Sequence, residues 1–345
     1  MTNPPTARSG EAHDQELRAG NDVRIPRPPY GGDFETFLSS IAEHFPPTIT
    51  PEMIEPLRAG GNAWAPTIEA MLNGRAVRRE DRTIPGAEGG PDLTVSVFRP
   101  SEAAESAQAA VFGIHGGGFV FGDRFTELDE ALDWVEKLGV VLVSVEYRLA
   151  PEHPDPAPVE DCYAGFVWMA ENADELGIDR ERIVIAGSSA GGGLAAGVSL
   201  LARDRSGPRP VGQLLIAPML DERNDSLSAR QFAGVGVWDR GSNDTAWNAL
   251  LGDRRGTDRV TPYASPGRAG DLSSLPPAYI DVGSTETFRD ESVAYAHALW
   301  KAGVQAELHV WPGVFHGFDV MIPDATISVA ARRARAEWLA RTLEA

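Results

Sequence analysis

The first regular pattern along the chain is helical. Phe34, Phe37, Leu38, Ile41 and Phe45 recur at the spacing of one helix face, and Pro46-Pro47 stops the run. Thr50-Pro51 has the form of an N-cap followed by proline at the first helical position. It predicts a short helix holding Met53, Ile54 and Leu57, with another around Ile68 to Leu72. These helices precede any strand, so they either pack on the outside of a sheet or cover one end of it. The period then changes. Leu93 to Phe98 alternates apolar and polar positions, as a half-exposed edge or antiparallel strand does. Mostly apolar runs at Ala109–Ile114, Val140–Val145, Ile183–Ala186, Gln213–Ala217 and Pro277–Val282 predict buried strands, and Ala306–Trp311 a last one. Helical stretches fall between them at Glu127–Leu138, Pro158–Ala170, Gly193–Ala202 and Phe288–Ala302. A final helix over 325–343 places Ile327, Ala331, Ala334 and Trp338 on one face, with arginines opposite. Buried strands alternating with helices predict a mostly parallel sheet with right-handed crossovers and helices on both faces.

Two stretches break this rhythm. Residues 1–32 are rich in Pro, Gly and charge and are expected to form a flexible tail. Between Met219 and Leu275, Asp, Asn, Gly and Pro are frequent, and only Asp244–Leu251 has a helical pattern. Phe232, Trp238, Trp247 and Tyr263 are scattered through it. A long irregular insertion in an α/β chain is more often functional than accidental, so 219–275 is expected to form a lid and pocket wall rather than a variable surface loop. No internal repeat or interdomain linker is present. The expected organisation is a tail at 1–32, N-terminal helices at 33–73 and one catalytic domain at 74–345 that carries the insertion.

Composition narrows the partners. A net charge of −19 argues against nucleic acid, since phosphate binding needs a basic face. Lysine occurs only at Lys137 and Lys301, and Cys162 is the single cysteine, so neither an intrachain disulfide nor a cysteine metal cluster is available. His13, His44, His297 and His309 show no ligand spacing, so no metal is expected, and His153 in its Pro-rich loop is expected to be structural. No phosphate-binding or dinucleotide fingerprint is present, and no cofactor is expected. Met1 to Gly20 lacks the apolar core of a signal peptide, and no stretch has the length of a membrane span. A soluble cytoplasmic protein without stable membrane insertion is the expectation.

The candidate chemistry sits at strand ends. Gly187-Ser-Ser189-Ala-Gly191 follows the run Ile183–Ala186 and precedes a helix, which is the strand-turn-helix setting of a nucleophile elbow with Ser189 at its apex. Alone, the pentapeptide is equally compatible with a Gly-rich turn holding an ordinary serine. A serine attacks a carbonyl only with a base to take its proton, a group to orient that base and N–H donors for the oxyanion. His115-Gly116-Gly117-Gly118 follows one strand, Glu286 another and His316 a third. Ligand sites of such sheets lie beyond the carboxyl ends of the strands, and Ser189, Glu286, His316 is the order Ser, acid, His of an α/β-hydrolase. Asp281 lies inside its strand, and Asp290 in the first turn of the next helix, so Glu286 is the expected acid. Phe119 and Phe121 either line an acyl pocket or pack against the glycine loop, and Trp238 is a further pocket candidate.

These pieces, with Tyr147-Arg-Leu-Ala-Pro-Glu-His-Pro154, Gly187-Ser-Ser-Ala-Gly-Gly192 and Phe315-His-Gly-Phe318, resemble the hormone-sensitive-lipase-like family of α/β-hydrolases, mostly carboxylic-ester hydrolases. The resemblance runs from about His115 to the end of the sheet. It implies an α/β-hydrolase fold with a helical lid to which the N-terminal helices belong. It implies Ser189 as nucleophile, His316 as general base, and the N–H groups of Gly117, Gly118 and Ala190 as the oxyanion hole, with Gly116 shaping the loop; His115, beside the glycines, is expected to hold that loop by a hydrogen bond. A homodimer is plausible by resemblance alone. Two positions depart from the family's pattern. Ser188 stands where Asp or Thr is common, and Glu286-Thr-Phe-Arg-Asp290 replaces Asp-Pro-Leu-x-Asp.

The expected function is a serine carboxylesterase acting on small or medium acyl esters through an acyl-enzyme. The same catalytic residues would serve amide, lactone or carbamate hydrolysis. A non-catalytic small-molecule receptor on this scaffold should lack one of the three catalytic residues, typically the base, whereas His316 is present.

Overall fold

The computed structural model describes residues 25–344, apart from 43–45, 61–65, 103 and 105. Most of the expected tail, the Phe45 end of the first helical stripe, His13 and His44 lie outside the described residues. The described chain opens with α1 (Gly32–Ile41), α2 (Ile54–Ala59) and α3 (Ile68–Leu72), followed by β1 (Val77–Ile84), β2 (Leu93–Pro100) and β3 (Gln108–Ile114). Helices and strands then alternate through α4 (Leu128–Leu138), β4 (Val141–Glu146), α5 (Ala157–Glu171), α6 (Ala173–Leu176), β5 (Ile178–Ser188), α7 (Ala190–Asp204) and β6 (Gly212–Ile216). The insertion holds α8 (Leu227–Gln231) and α9 (Arg240–Leu251). Beyond it come β7 (Ala278–Gly283), α10 (Arg289–Lys301), β8 (Ala306–Trp311), α11 (Phe318–Met321) and α12 (Thr326–Glu344).

The eight strands form one sheet in the order β1-β2-β4-β3-β5-β6-β7-β8. β2 runs antiparallel to both its neighbours, and the other pairs are parallel. The run Leu93–Phe98 is therefore antiparallel, but it is not the edge. β1 covers it, and Val95, Val97 and Phe98 are fully buried. The alternating pleat feeds two cores at once. Phe112, Val143 and Ile185 join Phe166 and Met169 of α5 and Leu194 and Val198 of α7 on one face. Their chain neighbours Val111, Leu142 and Val184 join Leu132 and Val135 of α4 and Leu339 of α12 on the other. Burial on both faces is what makes these strands read as unbroken apolar runs. Each large apolar side chain buried this way contributes roughly 1.5–3 kcal/mol.

The last helix departs from expectation. Its arginines do not all face solvent: Arg335 is buried against Asp281 of β7, Asp319 of α11 and Glu130 of α4. The guanidinium fork joins three elements beneath one end of the sheet, and a charge there is tolerable only because it is so fully paired. The tail expectation also needs correction at its end. Gly31 N–H donates to Gly313 O at 2.8 Å, and Tyr30 packs with the cluster around Phe315.

Candidate active site

β5 turns into α7 without a connecting residue other than Ser189, whose backbone is held at φ 56°, ψ −119°. That conformation is sparsely populated for a residue with a side chain and is found where the fold over-determines it. Here the elbow is clamped by close backbone contacts. A Cβ on Gly187 would lie 2.2 Å from Gly191 O, and one on Gly191 would lie 2.1 Å from Ile114 O. Only glycine at both positions lets the turn close against β3. Ser189 N–H donates to Ile216 O at 2.8 Å, and Ser189 O accepts from Gly193 and Met219. Ser189 Oγ is thus fixed at the carboxyl end of the sheet.

β3 lies beside β5, so the loop leaving β3 arrives next to the elbow. Its shape depends on His115, whose Nδ1–H donates to Gly116 O at 2.8 Å and whose ring stacks on Tyr147 at 4.2 Å. Tyr147 Oη–H returns a bond to His115 O at 3.0 Å. Burial keeps the His115 imidazole neutral, with its pKa lowered despite the Gly116 carbonyl. Gly117 and Gly118 take φ of +108° and +61°, and a side chain on Gly118 would strike the Trp238 ring at 2.4 Å. The N–H groups of Gly117, Gly118 and Ala190 donate to no other group among the described residues.

Glu286 and His316 come from the loops after β7 and β8, which are neighbouring parallel strands. The two loops are lashed together: Ser284 N–H donates to Trp311 O, Gly313 N–H to Ser284 Oγ and Thr285 Oγ1–H to Val314 O, all at 2.7–2.8 Å. Glu286 is 2 % exposed. Its Oε1 accepts Gly283 N–H at 2.7 Å and its Oε2 accepts His316 Nδ1–H at 2.6 Å. With the proton on Nδ1, Nε2 is bare and accepts Ser189 Oγ–H at 3.0 Å. The edge of Phe288 meets the imidazole at 5.0 Å. Burial opposes the charge on His316. Glu286 outweighs it by proximity and hydrogen bond, aided by Glu127 and Asp319, so the pKa of His316 is raised.

The rival carboxylates are engaged elsewhere. Asp281 Oδ2 accepts from Trp311 Nε1 and Arg335 Nε, while Asp290 Oδ2 accepts from Ser228 N–H at 2.7 Å. Of the pocket candidates, Phe119 is buried and packs on Trp247, ring to ring at 5.2 Å. Phe121 and Trp238 are half-buried, and Trp238 covers Gly118. α1 packs directly on the histidine loop: the rings of Phe34 and Phe37 each lie 5.7 Å from that of Phe315, the neighbour of His316. Arg58 of α2 reaches the carbonyls of Val120 and Ala150.

Sequence reasoning missed Glu127. It occupies the N-cap position of α4, and its side chain lies deep beside Gly116 and Ser188. An acid before an apolar helical run reads as a helix start, which hides any second use. Arg335 was hidden among surface arginines. Its signal was the lone Asp281 in a buried strand, a charge that requires a partner.

The alpha/beta hydrolase fold family matches residues 111–320. Carboxylesterase NlhH of Mycobacterium tuberculosis is 36% identical over 299 residues, covering 85% of this chain and 92% of that protein. Among solved structures, a bacterial heroin esterase superposes with a TM-score of 0.83 at 34% identity, over 91% of this chain and 100% of its own. A hyperthermophilic esterase from the archaeon Pyrobaculum calidifontis gives 0.81 at 33% identity, over 92% and 100%. With its elbow, glycine loop and His-bearing loop inside the matched region, the chain belongs to the alpha/beta hydrolase fold family, in its hormone-sensitive-lipase-like branch.

Proposed function

We propose that the chain is a serine carboxylesterase in which Ser189, His316 and Glu286 act as nucleophile, base and orienting acid. The observation that carries this reading is the continuous path from Ser189 Oγ to His316 Nε2 at 3.0 Å and from His316 Nδ1 to Glu286 Oε2 at 2.6 Å. Ser189 Oγ attacks the ester carbonyl while His316 takes its proton, and the Glu286 carboxylate stabilises the imidazolium. The oxyanion is received by the N–H groups of Gly117, Gly118 and Ala190, which have no other acceptor among the described residues. His316 then protonates the departing alcohol. A water molecule, deprotonated by His316, cleaves the acyl-enzyme and restores Ser189.

α1 to α3 and the 219–275 insertion supply the cover over this site in the same reading. Trp238, held over Gly118 and through its carbonyl by Thr287 Oγ1–H at 2.9 Å, sets the limit on acyl size. The test is kcat/KM across p-nitrophenyl esters of rising chain length, set against anilides. Short and medium esters are expected to be preferred, and Trp238→Ala is expected to move the cutoff to longer chains. Faster anilide than ester cleavage would overturn the ester reading, and an unmoved cutoff would remove Trp238 from the pocket. No described helix is long and apolar enough to cross a membrane.

Activity should follow the neutral fraction of His316. Because the pKa of His316 is raised, kcat/KM is expected to fall as pH drops, with an acid-limb midpoint above the ordinary histidine value of about 6.5. A pH–rate profile under chemistry-limited conditions checks this. A flat profile through that range would exclude His316 as the base.

A further inference from the structure

Behind the elbow, on the side of α4 and α12, lie two small cavities, one slightly larger than the other. The larger reaches Glu286 and His316, and the smaller reaches His115 and Trp134. Glu127 and Ser188 line both. Glu127 therefore stands between the glycine loop and the histidine, open to the cavity yet deep in the molecule.

Three features of Glu127 lack a structural explanation. Its backbone is left-handed at φ 59°, a conformation a residue with a side chain seldom adopts and which persists only where surroundings impose it. It precedes α4, where an acid would normally cap the first turn, but its side chain makes no capping bond. It also forms no ion pair among the described residues. Instead its Oε2 lies where a methyl group on Gly116 would touch it at 3.1 Å, and the same methyl would touch Ser189 Cβ at 3.4 Å. The carboxylate is thus placed against the residues that hold the nucleophile.

The charges around His316 show what that placement does. Glu286, Glu127 and Asp319 act on the imidazole. Glu286 is hydrogen-bonded to it, and Asp319 is neutralised by Arg335, which also pairs with Asp281 and Glu130. Glu127 is the one carboxylate of the three with neither an ion pair among the described residues nor a hydrogen bond to the ring, Arg335 acting on it only from a distance. The groups facing Glu127 are Ser188 from the elbow, His316 and Asp319 from the segment after β8, and Arg335 from α12. Asp129 and Glu130 of its own helix, Asp281 of β7, and Arg332 and Arg335 of α12 share the larger cavity. Desolvation, aided by Asp319, raises the pKa of Glu127, while Ser188, His316 and Arg335 pull it back toward the charged form.

We propose that Glu127 is a positioning residue for catalysis: its carboxylate, which forms no ion pair among the described residues and shares a cavity with His316, stabilises the imidazolium formed each time His316 accepts the Ser189 proton. This rests on the reading of Ser189 and His316 as nucleophile and base. Glu286 fixes the ring by a direct bond, and Glu127 adds charge across the cavity without touching it.

The test is Glu127→Gln in the full chain, with Glu127→Gly beside it. Glycine suits the left-handed backbone, so it removes the charge while relieving rather than adding strain. Both variants are expected to lose about tenfold in kcat with little change in KM, the scale of one charge several ångströms away in a partly screened site. Their acid limb is expected to move to lower pH by roughly half a pH unit to one, since a base deprived of a nearby anion binds its proton less tightly. An unchanged profile in the glycine variant overturns the proposal. So does a loss of kcat with the acid limb unmoved, which is the mark of a merely structural role. Organophosphonate labelling of the unaltered protein is read alongside: failure to label Ser189 there would sink the triad reading, a separate outcome from a wild-type pH profile in the variants.

Discussion

Ser189→Ala is expected to lose about 10⁶ in kcat while the thermal unfolding transition stays close to that of the unaltered protein. The Ser189 hydroxyl makes one side-chain bond, to His316 Nε2, whereas the elbow is held by backbone contacts that alanine keeps. Nothing in the packing of β5 and α7 depends on the oxygen. What remains after its loss is binding and the N–H groups of the glycine loop. Ser188→Ala is the control: its side chain borders the rear cavities, not the His316 Nε2 contact, so it should retain most turnover. A silent Ser188→Ala with an active Ser189→Ala would move the nucleophile by one residue and dismantle the reading.

The second large effect belongs to Glu286→Gln. The side chain bridges Gly283 N–H and His316 Nδ1, so the amide can keep one bond through its oxygen but cannot offer a carboxylate to both. If the amide N–H faces Nδ1, the imidazole is driven to the tautomer whose Nε2 carries the proton, and that nitrogen can no longer accept from Ser189. Charge stabilisation of the imidazolium is lost in either orientation. A fall of roughly 10³ to 10⁴ in kcat is expected, against little change for Asp290→Asn, whose carboxylate holds Ser228 N–H instead. Steady-state kinetics on both variants checks this. Turnover surviving in Glu286→Gln but not in Asp290→Asn would place the acid on α10.

Most of the architecture could be read in the chain because the central strands are buried on both faces. Val111-Phe112, Leu142-Val143 and Val184-Ile185 send consecutive side chains into opposite cores, so each strand is an unbroken apolar run. β1 escaped the same reasoning. Its sequence, Val77-Arg-Arg-Glu-Asp-Arg-Thr-Ile84, is charged in the middle because an edge strand buries only its ends here. Short helices such as α6 and α11 are set by the turns around them and leave no stripe long enough to detect.

The site divides in the same way. Ser189 is framed by glycines whose absence of a side chain is a sterical requirement, and the loop glycines after β3 carry the same mark. Glu286 could be separated from Asp281 and Asp290 because strand, loop and helix positions differ in what they can reach. Glu127 could not, since the left-handed backbone that turns it inward is a property of the folded loop. Arg335 shows a related limit. Along α12 it is one arginine among several, and only its junction with Asp281, Asp319 and Glu130 distinguishes it.

Whether Ser189 is a nucleophile activated through His316 is decided by covalent labelling. The protein is treated with an excess of a p-nitrophenyl organophosphonate, release of p-nitrophenol is counted against protein, and the modified peptide is located by mass spectrometry. One equivalent released, one phosphonyl group on Ser189, and loss of esterase activity in step with labelling are expected. An unlabelled protein, or one labelled at Ser188 or elsewhere with activity intact, would contradict that role for Ser189.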